Sequence, residues 1–163
     1  QIDPDVQGRT LRRFGGAWST AHTVPELVDS SVDPPRWEDR ETTSCVSVLL
    51  DSDTIEVEIN TASINTHHCL VEGRGGINAR GDLVVQTDHP LVLYGVEEPI
   101  EGPRCWIRFD YERGQLTIAE VWPSECGANP AWCGGRGEMI GHTFRVADRQ
   151  PGRCTSYDSF RDR

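Results

Sequence analysis

The residues best suited to chemistry lie near the end of the chain, in Cys126-Gly-Ala-Asn-Pro-Ala-Trp-Cys133 and the Gly-Gly-Arg-Gly137 that follows. Two cysteines flanking an Asn-Pro turn can close a disulfide across a short loop, which would hold Trp132 and Arg136 in place. A fixed tryptophan and arginine suit a contact surface, because the entropy of ordering them is already lost before a partner arrives. The same two side chains equally suit a structural role, with Trp132 plugging the end of the fold and Arg136 capping strand carbonyls. Spacing does not separate the two roles.

The other reactive residue types point to binding more than to catalysis. Six cysteines stand at 45, 69, 105, 126, 133 and 154, and no Cys-x-x-Cys pair marks a zinc or redox site. Dispersed and even in number, they are read as structural disulfides. Loop spacing favours Cys126–Cys133. Cys69 and Cys105 each open a strand and are expected to pair, which leaves Cys45–Cys154, one of fifteen sets that six cysteines allow. Adjacent His67 and His68 on a strand point to opposite faces, so no metal site is expected. His22, His67 and Ser44 or Ser63 are the residue types of a hydrolytic triad, but no Gly-x-Ser-x-Gly elbow supports one. Paired carboxylates such as Glu56 and Glu58 fall on the polar face of an alternating strand, where solvated charge is ordinary. With no lysine, Schiff-base chemistry is excluded. No catalytic residue and no cofactor is expected.

The elements that must position these residues read as strands. Thr54-Ile-Glu-Val-Glu-Ile-Asn60 alternates strictly after Cys45–Leu50 and an Asp-Ser-Asp turn, which predicts a hairpin. Further strands are predicted at Phe14–Thr20, Cys69–Glu72, Leu83–Thr87, Leu91–Gly95, Arg104–Tyr111, Gln115–Val121 and His142–Val146. Arg80-Gly81-Asp82 suits a hairpin turn. Residues 1–13 are predicted to be a flexible arm and 155–163 a polar tail. Ala21–Thr43, with Pro25, Pro34 and Pro35, is read as a long loop with one helical turn at Val24–Val28. The fold class expected is all-β: one disulfide-stabilised antiparallel barrel or sandwich of about eight strands over 14–154.

Composition bounds the partners. With 26 carboxylates against 16 arginines the net charge is −10, which repels phosphate backbones and disfavours nucleic acid. No apolar run approaches the roughly 20 residues of a membrane helix. The cysteines, and a chain that opens on Gln1, fit a periplasmic or extracellular protein after removal of a signal peptide.

Several of these stretches also form a pattern. His67-His-Cys69, Cys105-Trp-Ile107, Cys126, Cys133-Gly-Gly-Arg-Gly137 and Gly141-His-Thr-Phe144 resemble the small secreted bacterial proteins known as lysozyme-inhibitor-like, over about residues 44–146. Gly135 stands where alanine is expected, Cys45 and Cys154 are additions, and the Ser-Gly-x-x-Tyr motif of the membrane-bound inhibitors is absent. The resemblance implies a non-enzymatic inhibitor of a basic cell-wall hydrolase such as lysozyme. Trp132 and Arg136, or the acidic loop bearing Glu97, Glu98 and Glu101, would then meet the partner. The alternative is a calycin-like carrier of a small apolar ligand, suggested by Gly16-Ala-Trp18 at the start of an all-β chain.

Overall fold

The computed structural model describes residues 3–66, 68–87, 92–93, 100–101, 104–123, 126 and 139–154. Helix α1 (Pro4–Phe14) leads into β1 (Gly16–Asp29), β2 (Arg36–Asp51), β3 (Thr54–Ala62), β4 (His68–Ile77) and β5 (Leu83–Thr87). Two short strands, β6 (Val92–Leu93) and β7 (Ile100–Glu101), pair with each other. Then follow β8 (Trp106–Glu112), β9 (Gln115–Trp122), β10 (Thr143–Arg145) and β11 (Arg149–Gln150). Nine of the strands make one antiparallel sheet in the order β10-β9-β8-β5-β4-β3-β2-β1-β11. Its two outer strands are consecutive in sequence, joined by the single 3-10 turn Val146–Asp148. Residues 143–150 therefore bridge from β9 to β1 and nearly close the sheet into a barrel.

Alternation drives the closure. Ile55, Val57 and Ile59 on β3, Leu83 and Val85 on β5, and Ile107 and Phe109 on β8 all turn inward and are fully buried. An irregularity in the β8–β9 register, between the Arg108/Glu120 and Phe109/Ile118 pairs, keeps both Ile118 and Val121 on the inner face although they are three residues apart. These side chains join Trp18, Val46, Val48 and Phe144 in one contiguous core. A barrel of this size is just wide enough to be filled by its own side chains.

Residues 4–14 are not a loose arm. Asp3 caps the helix by accepting the Asp5 N–H, Pro4 stands at the first helical position, and Arg12 and Arg13 fall in the last turn. Val6, Thr10 and Phe14 share one face at helical spacing, and Thr10 and Phe14 are buried. Thr10 Oγ1 donates to Val6 O and accepts the Ile77 N–H, which ties the helix to β4.

Arg149 completes this end. Its Nε–H donates to Gly15 O at 2.7 Å, and its two NH groups donate to the carbonyls of Arg13 (3.0 Å), Leu11 and Arg12 (both 3.3 Å). The guanidinium carbon lies 5.2 Å from the Trp18 ring centroid, and the Trp18 indole N–H donates to Phe14 O. One side chain thus satisfies the Arg12 and Arg13 carbonyls at the helix C-terminus, and it shares Leu11 O with the Gly15 N–H. Gly16 makes the approach feasible: its φ is +107°, and a Cβ there would lie 2.5 Å from Gln150 O.

Two disulfides among the described residues are Cys45–Cys154 and Cys105–Cys126, each with Cα atoms 6.0 Å apart. The expected Cys45–Cys154 bond is thus present. The expected Cys126–Cys133 and Cys69–Cys105 bonds are not. Cys126 closes a turn onto Pro123 O just after β9, beside Cys105 at the start of neighbouring β8. Strand β5 separates β4 from β8, and two strand spacings, about 9.5 Å, exceed what a disulfide spans. Cys69 is itself disulfide-bonded.

Arg149→Ala is expected to lower stability by about 3 kcal/mol, because several charge-assisted bonds are lost together. Arg149→Lys should recover little, since an ammonium cannot reproduce the planar fork. Urea unfolding measures both. Replacing Cys45 and Cys154 by alanine opens a loop with a sequence separation of 109 residues, and should cost about 4 kcal/mol by the same measurement.

Candidate functional site at the loop end of the barrel

The two ends of the barrel are built differently. One carries α1 and the tight connections at Ser52–Asp53, Asn78–Asp82 and Arg113–Gly114. The antiparallel order places the opposite strand ends, Asp29 and Arg36, Ala62 and His68, Thr87 and Trp106, and Trp122, at the other, the loop end. The described histidines, His22, His68 and His142, belong to this loop end.

Its largest feature is a projecting hairpin. Strand β2 pairs with β3 only from Cys45 onward, whereas it pairs with β1 from Arg36. Residues 19–29 and 36–44 therefore continue as a two-stranded ribbon about 30 Å long. Arg36–Glu41 are exposed on both faces of that ribbon. The segment read as a loop with a helical turn is thus a β-arm. Pro25 is tolerated because it lies where β1 is an edge strand beyond its short pairing with β11. The Arg40–Glu26 ion pair and the Leu27 N–H donating to Asn65 Oδ1 at 2.7 Å stiffen the arm. Toward its tip stand exposed Leu27, Val32 and Trp37, with Leu27 opposite Trp37. Around them residues 26–41 carry six carboxylates against two arginines, a net −4. Asp29, held below the usual carboxylate range by the hydroxyl and backbone N–H of Ser31, keeps its charge at the turn.

At the base of the arm lies an open cleft of about 520 Å³. His22 and Val24 of β1, Ala62 and Ile64 after β3, and Ile140 and His142 before β10 line it. The turn bearing Ile140 and His142 is fixed to β9, with Gly141 N–H donating to Ile118 O and Ile118 N–H to His142 O. The His22 and His142 rings meet edge to face with centroids 5.8 Å apart. His22 Nε2 lies 2.7 Å from Ser44 Oγ, which accepts the Ala62 N–H at 2.9 Å. Below this pair the inner face turns polar: Thr20 is paired with Ser44, and the Thr20 and Thr61 hydroxyls are buried with no hydrogen-bond partner among the described residues.

The His22–Ser44 contact brings together two residue types considered for a triad. Ser44 is buried, however, and its oxygen already accepts a backbone N–H, while no carboxylate among the described residues is bonded to His22. The pair fixes the orientation of His22. Groups of three or more metal-ligating side chains are absent among the described residues. Trp132, Arg136, Glu97 and Glu98 lie outside the described residues. Glu101 has its backbone in β7, opposite Val92. The arm and the cleft were not anticipated as a site, because the residues that build them are distant in sequence and meet through the strand order.

No family model, no curated protein and no solved structure matches the chain. Among the described residues no helix is long and apolar enough to cross a membrane.

His68 gives this end a pH dependence. Its Nδ1 lies 2.7 Å from Asn60 Oδ1, and burial, with a smaller effect from the charge of His22, holds its imidazole below the ordinary value of 6.5. The unfolded chain therefore binds the His68 proton more tightly than the folded one. This contribution to stability is full above the unfolded value and is lost as pH falls below it and through the lower folded value. Urea midpoints measured from about pH 7.5 to about 5 should fall. They should fall less in His68→Gln, which does not titrate there.

Proposed function

We propose that this chain is a non-enzymatic binding protein that engages a basic protein partner through its β1–β2 arm. The observation that carries the reading is the unbroken exposure of Arg36–Glu41 on the arm, with Leu27, Val32 and Trp37 exposed amid a net charge of −4. An exposed tryptophan beside aliphatic side chains supplies the apolar centre of an interface, and the surrounding carboxylates supply the rim. Negative charge on the arm, within a chain of net −10, speeds encounter with a cationic surface. Pairing along the arm, its ion pair and the Asn65 contact leave little order to be gained on binding.

A cationic cell-wall hydrolase such as a lysozyme fits this chemistry, its basic cleft taking the arm. Disulfide bonding fits an oxidising compartment, where such enzymes act. The alternative of a barrel hollowed for an apolar ligand has less support, since the inward side chains around Trp18 pack into one core.

Calorimetric titration with lysozymes of several types, alongside a cell-wall clearing assay, tests the reading. Saturable binding that weakens with salt is expected, together with slower clearing. Trp37→Ala should weaken binding at least about 10-fold, as a truncated hot spot does, with unfolding unchanged because Trp37 is exposed. Absence of binding and of inhibition for every type, or full binding by Trp37→Ala, contradicts the proposal.

A further inference from the structure

We infer that the His22–His142 cleft is a binding site for a small organic monocarboxylate with a short apolar body. The site is separate from the tip of the arm and stands whether or not the arm binds a protein.

Hydrogen bonding around Ser44 assigns the tautomer of His22. Ser44 Oγ accepts the Ala62 N–H, and among the described residues the acceptor within reach of its own proton is His22 Nε2. With Nε2 accepting from Ser44, the proton of the neutral imidazole resides on Nδ1. That Nδ1–H has no acceptor among the described residues, and His22 forms part of the cleft wall. Protonation of His22 would preserve the donor and add a positive charge. In either state His22, on the wall of the cleft, carries a hydrogen-bond donor whose direction is fixed by a buried serine.

The charge distribution selects the acceptor. The chain carries 26 carboxylates, yet among the described residues none lines this cleft. Glu41 borders a different opening, which His22 also lines, and Glu26 is paired with Arg40. A second imidazole, His142, lies against the first. An anion therefore meets less repulsion here than over the acidic arm, and it meets a donor. Ser63 and Gly141 also line the cleft, and Val24, Ala62, Ile64 and Ile140 offer apolar surface to an alkyl or aryl body. A free inorganic anion would gain nothing from these four residues, and a neutral hydrocarbon would gain nothing from His22.

The probes are hexanoate, butyrate and 1-hexanol, titrated by calorimetry and by NMR of the imidazole nitrogens. Hexanoate is expected to bind saturably at about millimolar concentration or tighter, on the scale open to a ligand of this size. The ring signals of His22 and His142 should shift, with His22 protonated at Nδ1 before and after titration. Butyrate and 1-hexanol should each bind at least about 10-fold more weakly, one lacking apolar body and the other the charge. His22→Leu should abolish the preference for hexanoate over 1-hexanol. Ile140→Ser, at a position 49% exposed and so harmless to folding, should narrow the gap between hexanoate and butyrate. The inference is overturned by equal binding of hexanoate and 1-hexanol, by no saturable binding of hexanoate, or by an unshifted His22 ring.

Discussion

Arg149 holds together three parts of the chain that would otherwise end in unsatisfied groups. The last turn of α1 presents carbonyls with no helical partner, β1 begins with a tryptophan that must be covered, and the final strand segment is two residues long. A guanidinium bonded to Leu11, Arg12, Arg13 and Gly15 and lying near the Trp18 indole meets all three needs. The geometry requires Gly16, since any side chain there would collide with the Gln150 carbonyl. It also requires the tail to stay in place, which Cys45–Cys154 and the Arg153–Glu58 ion pair secure. Closure of the barrel thus depends on a few contacts clustered at one end.

Consolidating one end frees the other. Tight turns and α1 leave the α1 end little scope for display, while the loop end carries an arm about as long as a barrel strand. Solvation on both faces means that Arg36–Glu41 contribute little to the core, so their sequence can answer to a partner. The cleft below follows the same logic. His22 is oriented by a serine on β2, and His142 by a turn hydrogen-bonded to β9, so two separate parts of the wall converge on one opening.

The all-β class was legible because Ile55, Val57, Ile59 and their counterparts alternate, and alternation depends on no distant residue. The hairpin at Asp51–Thr54 and the turn at Asn78–Asp82 were legible for the same local reason. Helix α1 was missed because Gly8 and four charged residues in eleven obscure the 6–10–14 face, although Asp3-Pro4 announces its start. The arm was missed because Arg36–Glu41 are exposed on both faces, so no apolar alternation marks that strand, and Pro25, Pro34 and Pro35 read as loop. Disulfide pairing failed where sequence proximity was used in place of strand order, as Cys105–Cys126 shows. The cleft was illegible because residues 22, 62, 64, 140 and 142 converge only once the barrel closes.

Amide hydrogen exchange across the wild-type chain tests this division into a consolidated end and a displayed end most directly. Amides of Phe14–Trp18 and Arg149–Gln150 should exchange only through global unfolding, together with those of Ile55–Ile59. Amides of the arm at Val24, Glu26, Leu27 and Trp37–Glu41 should open at far lower free energy. If residues 149–150 opened as readily as the arm, or the arm were as protected as β3, barrel closure through Arg149 would not be what holds the structure together.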